Sequence, residues 1–279
     1  MAQEDEENTS GQGAEMSFLQ HLEVLRWHLI RAAAAVVIFA VTAFIYMGDI
    51  FKYILLAPKS SDFITFRLMC KLSQKYMGND NLCMASTDIN LINTDISGQF
   101  SSHLYTSLVV GIVIAFPYIL FELWRFISPA LKENEARSAR GIIFWCSMLF
   151  FSGILFGYFI VSPLAVNFLG NYQITDEIKN MIDFNSYISI VTVTTLLTGL
   201  VFELPIVSYV LSKLGILSPG FMRNYRRHAV VVILIAAAVI TPSPDVVSQM
   251  LVAVPLYVLY EISIIVSARI EKQRAKQAI

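Results

Sequence analysis

The chain has 279 residues, of which 56% are apolar and only 15% charged. Soluble domains carry about 25% charged residues, so this shortfall excludes an ordinary water-soluble globule. Twenty basic against 21 acidic residues leave a formal charge of −1, which excludes a global nucleic-acid footprint.

The first segment, residues 1–15, holds five acids and neither Lys nor Arg. That is the wrong n-region for a secretory signal peptide, and the segment has too little to bury, which predicts a disordered acidic tail. Ser17-Phe18-Leu19-Gln20 fits a capping box. An apolar stripe of Phe18, Leu22, Leu25 and Leu29 follows, with Glu23 and Arg26 off the stripe. The pattern predicts an interfacial helix running into a first membrane span.

A spanning helix needs about 20 mostly apolar residues. Spans are predicted at residues 29–47, 104–124, 141–161 and 187–211. Two shorter runs, 229–241 and 249–266, are joined by a Thr241-Pro242-Ser243-Pro244-Asp245 turn. The first of these reaches only ~20 Å against a hydrocarbon core of about 30 Å. The pair is either a re-entrant hairpin or spans a locally thinned bilayer. Fourteen Lys and Arg fall on the N-terminal side of the predicted spans and six on the other. The positive-inside rule then places both termini in the cytoplasm, which requires an even number of crossings and therefore six helices.

The first outer loop, 51–102, is long and contains Cys70 and Cys83 with twelve residues between them. If that side is the periplasm, a disulfide is chemically permitted; the alternative is two unpaired thiols. Cys146 lies inside the third span and reads as a small packing residue. Neither a CxxC pair nor a His–Cys spacing points to a metal, and nothing calls for a cofactor. The inner loop 128–137 mixes acids and bases and by composition is solvated.

Glu203 is the informative residue of the fourth span. A charge there costs roughly 2.5–3.5 kcal/mol in hydrocarbon, so it must face protein, water or a ligand. Thr192, Thr195 and Gly199 share its arc of about 80°, as does apolar Leu196. Pro205, two residues on, frees a backbone carbonyl and bends the helix. Glu122, beside Trp124 and Arg125, reads as interfacial. Gly153 and Gly157 form a G-x-x-x-G that reads as helix packing. Intramembrane carboxylates and a broken helix pair also fit a proton-coupled secondary transporter of a small solute. Enzyme signatures such as H-E-x-x-H, G-x-S-x-G and the P-loop are missing from the sequence, so a non-enzymatic role is expected.

Five segments in order now resemble one family: His21-Leu22-Glu23-Val24-Leu25-Arg26, Phe126-Ile127-Ser128-Pro129-Ala130-Leu131, Glu135-Ala136-Arg137, Phe202-Glu203-Leu204-Pro205, and Thr241-Pro242-Ser243-Pro244-Asp245-Val246-Val247-Ser248-Gln249. Over residues 16–270 the chain resembles TatC, the multispanning receptor of the twin-arginine, Sec-independent protein translocase. The resemblance implies an all-α, polytopic, concave glove-like bundle of six helices, the last two short, followed by a cytoplasmic tail at 271–279. It implies a bacterial inner-membrane protein that binds twin-arginine signal peptides of folded cargo at its cytoplasmic face. It also implies partnership with TatA- and TatB-type single-span proteins, self-association within the receptor complex and export driven by the proton motive force. By the same resemblance Glu135, Glu23, Arg26, Arg137 and Phe126 form the signal-peptide site. Glu203, Thr195 and Gln249 become intramembrane polar or partner contacts, with Glu203 inside the groove of the glove. Carboxylates suit the task because two guanidinium groups present several donors to them. The family has an acid directly before the Leu-Arg pair of the first helix; here that position is Val24, and Glu23 stands one residue, or about 100°, earlier.

Overall fold

A computed structural model of the protein describes residues 18–60, 62–76, 90–127, 139–175, 180–213, 215–241 and 245–277. The expected acidic tail at 1–15 lies outside the described residues. Helix α1 runs unbroken over Phe18–Ile45, joining the interfacial segment to the first span. Its stripe residues Leu22 and Leu29 are 43% and 66% exposed, the placement expected of side chains that meet lipid. A short α2, Met47–Ile50, leads into a π-helical turn at Phe51–Leu55 and a 3-10 turn at Ala57–Lys59. The amphipathic α3 covers Ile64–Tyr76. The predicted outer loop is thus largely helical over its first half. Strand β1, Leu91–Ile92, pairs in parallel with β2, Ile182–Asp183, in the register Leu91↔Ile182.

Helix α4 spans Gly98–Ile127 and packs along α1. Helix α5, Ala139–Phe156, continues through a π turn at Gly157–Val161 into α6, Ser162–Asn171. Pro163, which has no N–H to give the ladder, sits at the start of α6, where that loss costs least. Helix α7 covers Phe184–Val201 and α8 covers Leu204–Lys213. The short α9, Pro219–Asn224, precedes α10, Arg226–Ile240, and the long α11, Val246–Gln277, ends the chain's described part.

Among the described residues, five helical stretches are long and apolar enough to cross a membrane: Leu22–Ile45, Gly98–Phe126, Gly141–Asn171, Phe184–Lys213 and Ser248–Gln273. Helix α10, with 15 residues, reaches ~22 Å and stays short of a ~30 Å core. The last helix corrects the expectation that both final helices are short. It has 32 residues and absorbs most of the expected tail. The apolar run stops near Val266, but Ala, Arg, Glu, Lys and Gln are strong helix formers and carry the helix onward.

Close packing holds the bundle where the sequence supplies small residues. A Cβ on Gly153 would lie 2.8 Å from the Gly199 Cα, and one on Gly157 would lie 2.9 Å from the Thr195 Cα. The G-x-x-x-G is therefore the seam between α5 and α7. One apolar cluster gathers Ala43, Met47, Tyr187, Ile188 and Val191; a second gathers Val161, Ile233, Ala237, Val252 and Leu256. Tyr187, buried in the first, gives its hydroxyl hydrogen to the Leu55 carbonyl at 2.8 Å. Tyr158 likewise donates to the Ile54 carbonyl at 2.7 Å, and Thr65 donates to the Phe159 carbonyl. These bonds cap the bundle with the segment 51–76. Side chains such as Ile38, Ile45 and Val239 are left bare on the outside, in keeping with lipid contact.

Candidate functional site

The start of α1 and the end of α4 meet at one rim of the bundle. His28, about three turns into α1, places Nδ1 2.5 Å from Glu122 Oε2 near the end of α4. The Tyr118 hydroxyl, one turn back on α4, donates to Glu122 Oε1 at 2.9 Å. Arg31 adds positive charge to the same field. Toward an ionised carboxylate, which can only accept, His28 Nδ1 serves as the donor. Glu122 is 2% exposed; near the end of its span as expected, it is covered by protein rather than open to the interface. Its burial is compensated by two donors, one on each helix.

This pair sets the register of α1 against α4. Glu23 and Arg26 lie one turn or so before His28, and both are exposed. Phe126 lies one turn after Glu122 and is half-buried. Its ring meets the His28 imidazole edge-on, with centroids 6.2 Å apart. Glu23, Arg26 and Phe126 are therefore brought to the same rim. Glu135 and Arg137 lie outside the described residues, in the segment that follows α4.

The intramembrane trio separates. Thr195 shares a 3.3 Å hydroxyl contact with Ser162 of α6. With Thr192 and Leu196 it lines a cleft of about 1010 Å³, walled also by Lys52, Tyr53 and Val113. Gln249, at the start of α11, donates to the Leu234 carbonyl of α10 at 3.1 Å. Glu203 lies about two turns beyond Leu196, at the break between α7 and α8, rather than among the cleft's lining residues. The break follows from Pro205, whose ring clashes with a helical Val201 carbonyl four residues back and which has no N–H to give the ladder. The Glu203 carbonyl instead accepts from Ile206 at 2.9 Å and Val207 at 3.0 Å. Its side chain faces α5, against the Cys146 thiol and the Phe150 backbone. Its Oε1 is buried without a hydrogen-bond partner among the described residues. Oε1 thus faces protein, while the residue as a whole is half-buried.

Cys70 on α3 is disulfide-bonded and Cys146 is free; Cys83 lies outside the described residues. The His28–Glu122 pair escaped sequence reasoning because 94 residues separate its members. The available signal was depth: each is a polar group near the same end of its own span.

Long apolar helices, proline-broken spans and a polar rim at one end define a polytopic helical membrane protein. A profile described as Sec-independent protein translocase protein (TatC) matches residues 20–255. The chain belongs to the TatC family. It is 38% identical over 261 residues to the Sec-independent protein translocase protein TatC of Blattabacterium sp. subsp. Periplaneta americana, covering 93% of this chain and 98% of that protein. It is 34% identical over 252 residues to the TatC of Carboxydothermus hydrogenoformans, covering 90% and 93% respectively. A crystal structure of the twin-arginine translocase receptor TatC superposes with a TM-score of 0.67 at 33% identity, covering 90% of this chain and 99% of that one. The chain is thus a TatC-type component of Sec-independent protein transport, and nothing in these likenesses supports a small-solute transporter.

Proposed function

We propose that the chain is the receptor and scaffold subunit of a twin-arginine translocase, and that its rim of Glu23, Arg26 and Phe126 receives the signal peptide. The observation that carries this reading is the His28–Glu122 contact at 2.5 Å, which aligns the start of α1 with the end of α4. Glu135 and Arg137 follow that end in sequence and complete the site, Glu135 as an acceptor. Glu135 takes the arginine pair, with Glu23 serving in place of the family's acid at the position of Val24. Phe126 offers an aromatic face to the peptide, and guanidinium groups stack on such faces as well as pairing with carboxylates.

In this reading both termini are cytoplasmic, α10 spans a thinned bilayer as the fifth of six crossings, and the membrane is the bacterial inner membrane. Glu203, Thr195 and Gln249 serve contacts with TatA- and TatB-type single-span partners or with a second copy. Cys70 pairs with Cys83 on the periplasmic side. The protein catalyses no covalent step; export draws on the proton motive force.

The test is binding of a labelled signal peptide to the purified full chain. A twin-arginine peptide is captured, and its twin-lysine counterpart binds at least tenfold more weakly. Equal affinity for the two peptides overturns the reading.

A further inference from the structure

We propose that α3 is an interfacial helix whose outward face binds anionic phospholipid of the leaflet remote from His28, with Arg67 and Lys71 on the phosphates and Ile64 and Leu68 sunk beside the acyl chains. Helix α3 turns two faces in opposite directions. Phe66 and Ser73 lie on the inner one and are buried. Phe63, just before the helix, stacks on Phe159 with ring centroids 5.7 Å apart, and Cys70 is tied by its disulfide. Ile64, Arg67, Leu68 and Lys71 fall within an arc of about 100° on the other side. Ile64 and Leu68 are each 54% exposed, and both cations are exposed as well. Among the described residues no hydrogen bond or ion pair engages the Arg67 or Lys71 side chain. Lys75 shares the face but is already engaged and takes no part.

The bundle itself fixes the depth of this face. Thr65 donates to the Phe159 carbonyl, and Phe159 lies ~27 Å along the membrane-length stretch that begins at Gly141. A hydrocarbon core is about 30 Å thick, so α3 starts at its edge. The segment before α3 is held at the same edge, where Tyr187, one turn into the stretch that begins at Phe184, donates to the Leu55 carbonyl. Tyr46 and Tyr53 are exposed nearby, as amphipathic rings are at a membrane boundary. Ile64 also fixes the direction. It lines the cleft of about 1010 Å³ together with Val113 and Leu155, and Leu155 is one turn deeper in its span than Phe159. The Ile64 side of α3 therefore looks toward the apolar layer. Lys52 lies over the ring of its neighbour Tyr53, and Lys59 and Asp62 offset one another along the cleft. Arg67 and Lys71 remain as the uncommitted cations of α3. Two aliphatic side chains and two such cations on one face, at headgroup depth, match apolar chains beneath negative phosphates. An acidic protein would meet the cations and leave Ile64 and Leu68 unused. A zwitterionic lipid would meet the aliphatic pair and lacks the net charge.

The test is photolabelling of the full chain in lipid nanodiscs that contain, at equal mole fraction, phosphatidylglycerol or phosphatidylcholine with a diazirine on the acyl chain near the glycerol. Phosphatidylglycerol labels the α3 peptide roughly thirtyfold more than phosphatidylcholine, the preference expected of two cations beside an anionic surface. In Arg67→Gln/Lys71→Gln the two lipids label it alike, whereas Arg67→Lys/Lys71→Arg keeps the preference. Ile64→Gln/Leu68→Gln lowers labelling by both lipids. Arg223→Gln, a cation on α9, leaves the labelling of α3 unchanged. A parent α3 that neither lipid labels overturns the proposal in favour of a face turned to water. Equal labelling of the parent by the two lipids, or an equal fall in Arg223→Gln, overturns it in favour of unselective contact. A preference that survives in Arg67→Gln/Lys71→Gln, with loss of binding to an acidic protein, overturns it in favour of a protein partner.

Discussion

His28 and Glu122, 94 residues apart in sequence, meet at 2.5 Å and tie the start of α1 to the end of α4. Each residue is costly alone at that depth. Together, with the Tyr118 hydroxyl as second donor, they satisfy one another and fix how far α1 slides along α4. His28→Ala leaves a buried carboxylate short of a donor, and hydrogen bonds to charged groups contribute about 1.5–3 kcal/mol. Thermal unfolding in detergent micelles should show a loss of that order, and a smaller one for Glu122→Gln, which still accepts from Tyr118. An unchanged melting profile for His28→Ala means the pair sets no register.

The α5–α7 seam has no room for a side chain. In Gly153→Leu the new Cβ would meet Gly199 and Phe202, each at 2.8 Å. Overpacking of this kind costs typically about 1–3 kcal/mol. Gly220→Ala, where a Cβ meets nothing within 4 Å, should stay within about 0.5 kcal/mol of the parent. Melting temperatures of the two variants, measured side by side, check the contrast.

Among the described residues one Glu203 oxygen has no hydrogen-bond partner, a costly choice for a purely structural residue. Glu203→Leu should therefore leave the isolated subunit folded, and more stable by about 1–3 kcal/mol. Export and capture of single-span partners should fall, with twin-arginine peptide binding retained. A destabilised Glu203→Leu, or one that exports normally, contradicts the functional assignment of that carboxylate.

Asp183 caps α7: its Oδ2 accepts from the Asn185 and Ser186 amides at 3.0 and 3.1 Å. The Ser186 amide, foremost among its partners, holds the carboxyl below the usual carboxylate range. A depressed value contributes stability that is fully present above the ordinary carboxylate pKa and is lost as pH falls through the lower folded value. Protection of the Asn185 and Ser186 amides, taken relative to the intrinsic exchange rate at each pH, should fall on acidification below about pH 4. In Asp183→Ala it should be low already at neutral pH.

Much of this fold was readable because lipid imposes a simple rule on composition. The spans, the inward-facing Glu203, the Gly153–Gly157 seam and the Pro205 break all follow from local sequence and the cost of polar groups in hydrocarbon. The polar arc on the fourth span was only half right: Thr192 and Thr195 line the cleft, while Glu203 turns to Cys146 because the helix breaks before reaching it. The burial of Glu122 was hidden, since its partner lies on another helix and no periodicity joins them. The length of α11 was hidden for a different reason. Hydropathy marks where a helix leaves the apolar layer, not where the helix ends.

Photo-crosslinking of a twin-arginine peptide to probes at residues 23, 126 and 135 examines the shared rim itself. If His28 and Glu122 align α1 with α4 as described, all three probes capture the peptide near its arginine pair, and His28→Ala reduces capture at residue 23 relative to residue 135. Capture confined to cleft positions such as Tyr53 and Val113, or a pattern indifferent to His28→Ala, would contradict a single recognition surface built from the two helix ends.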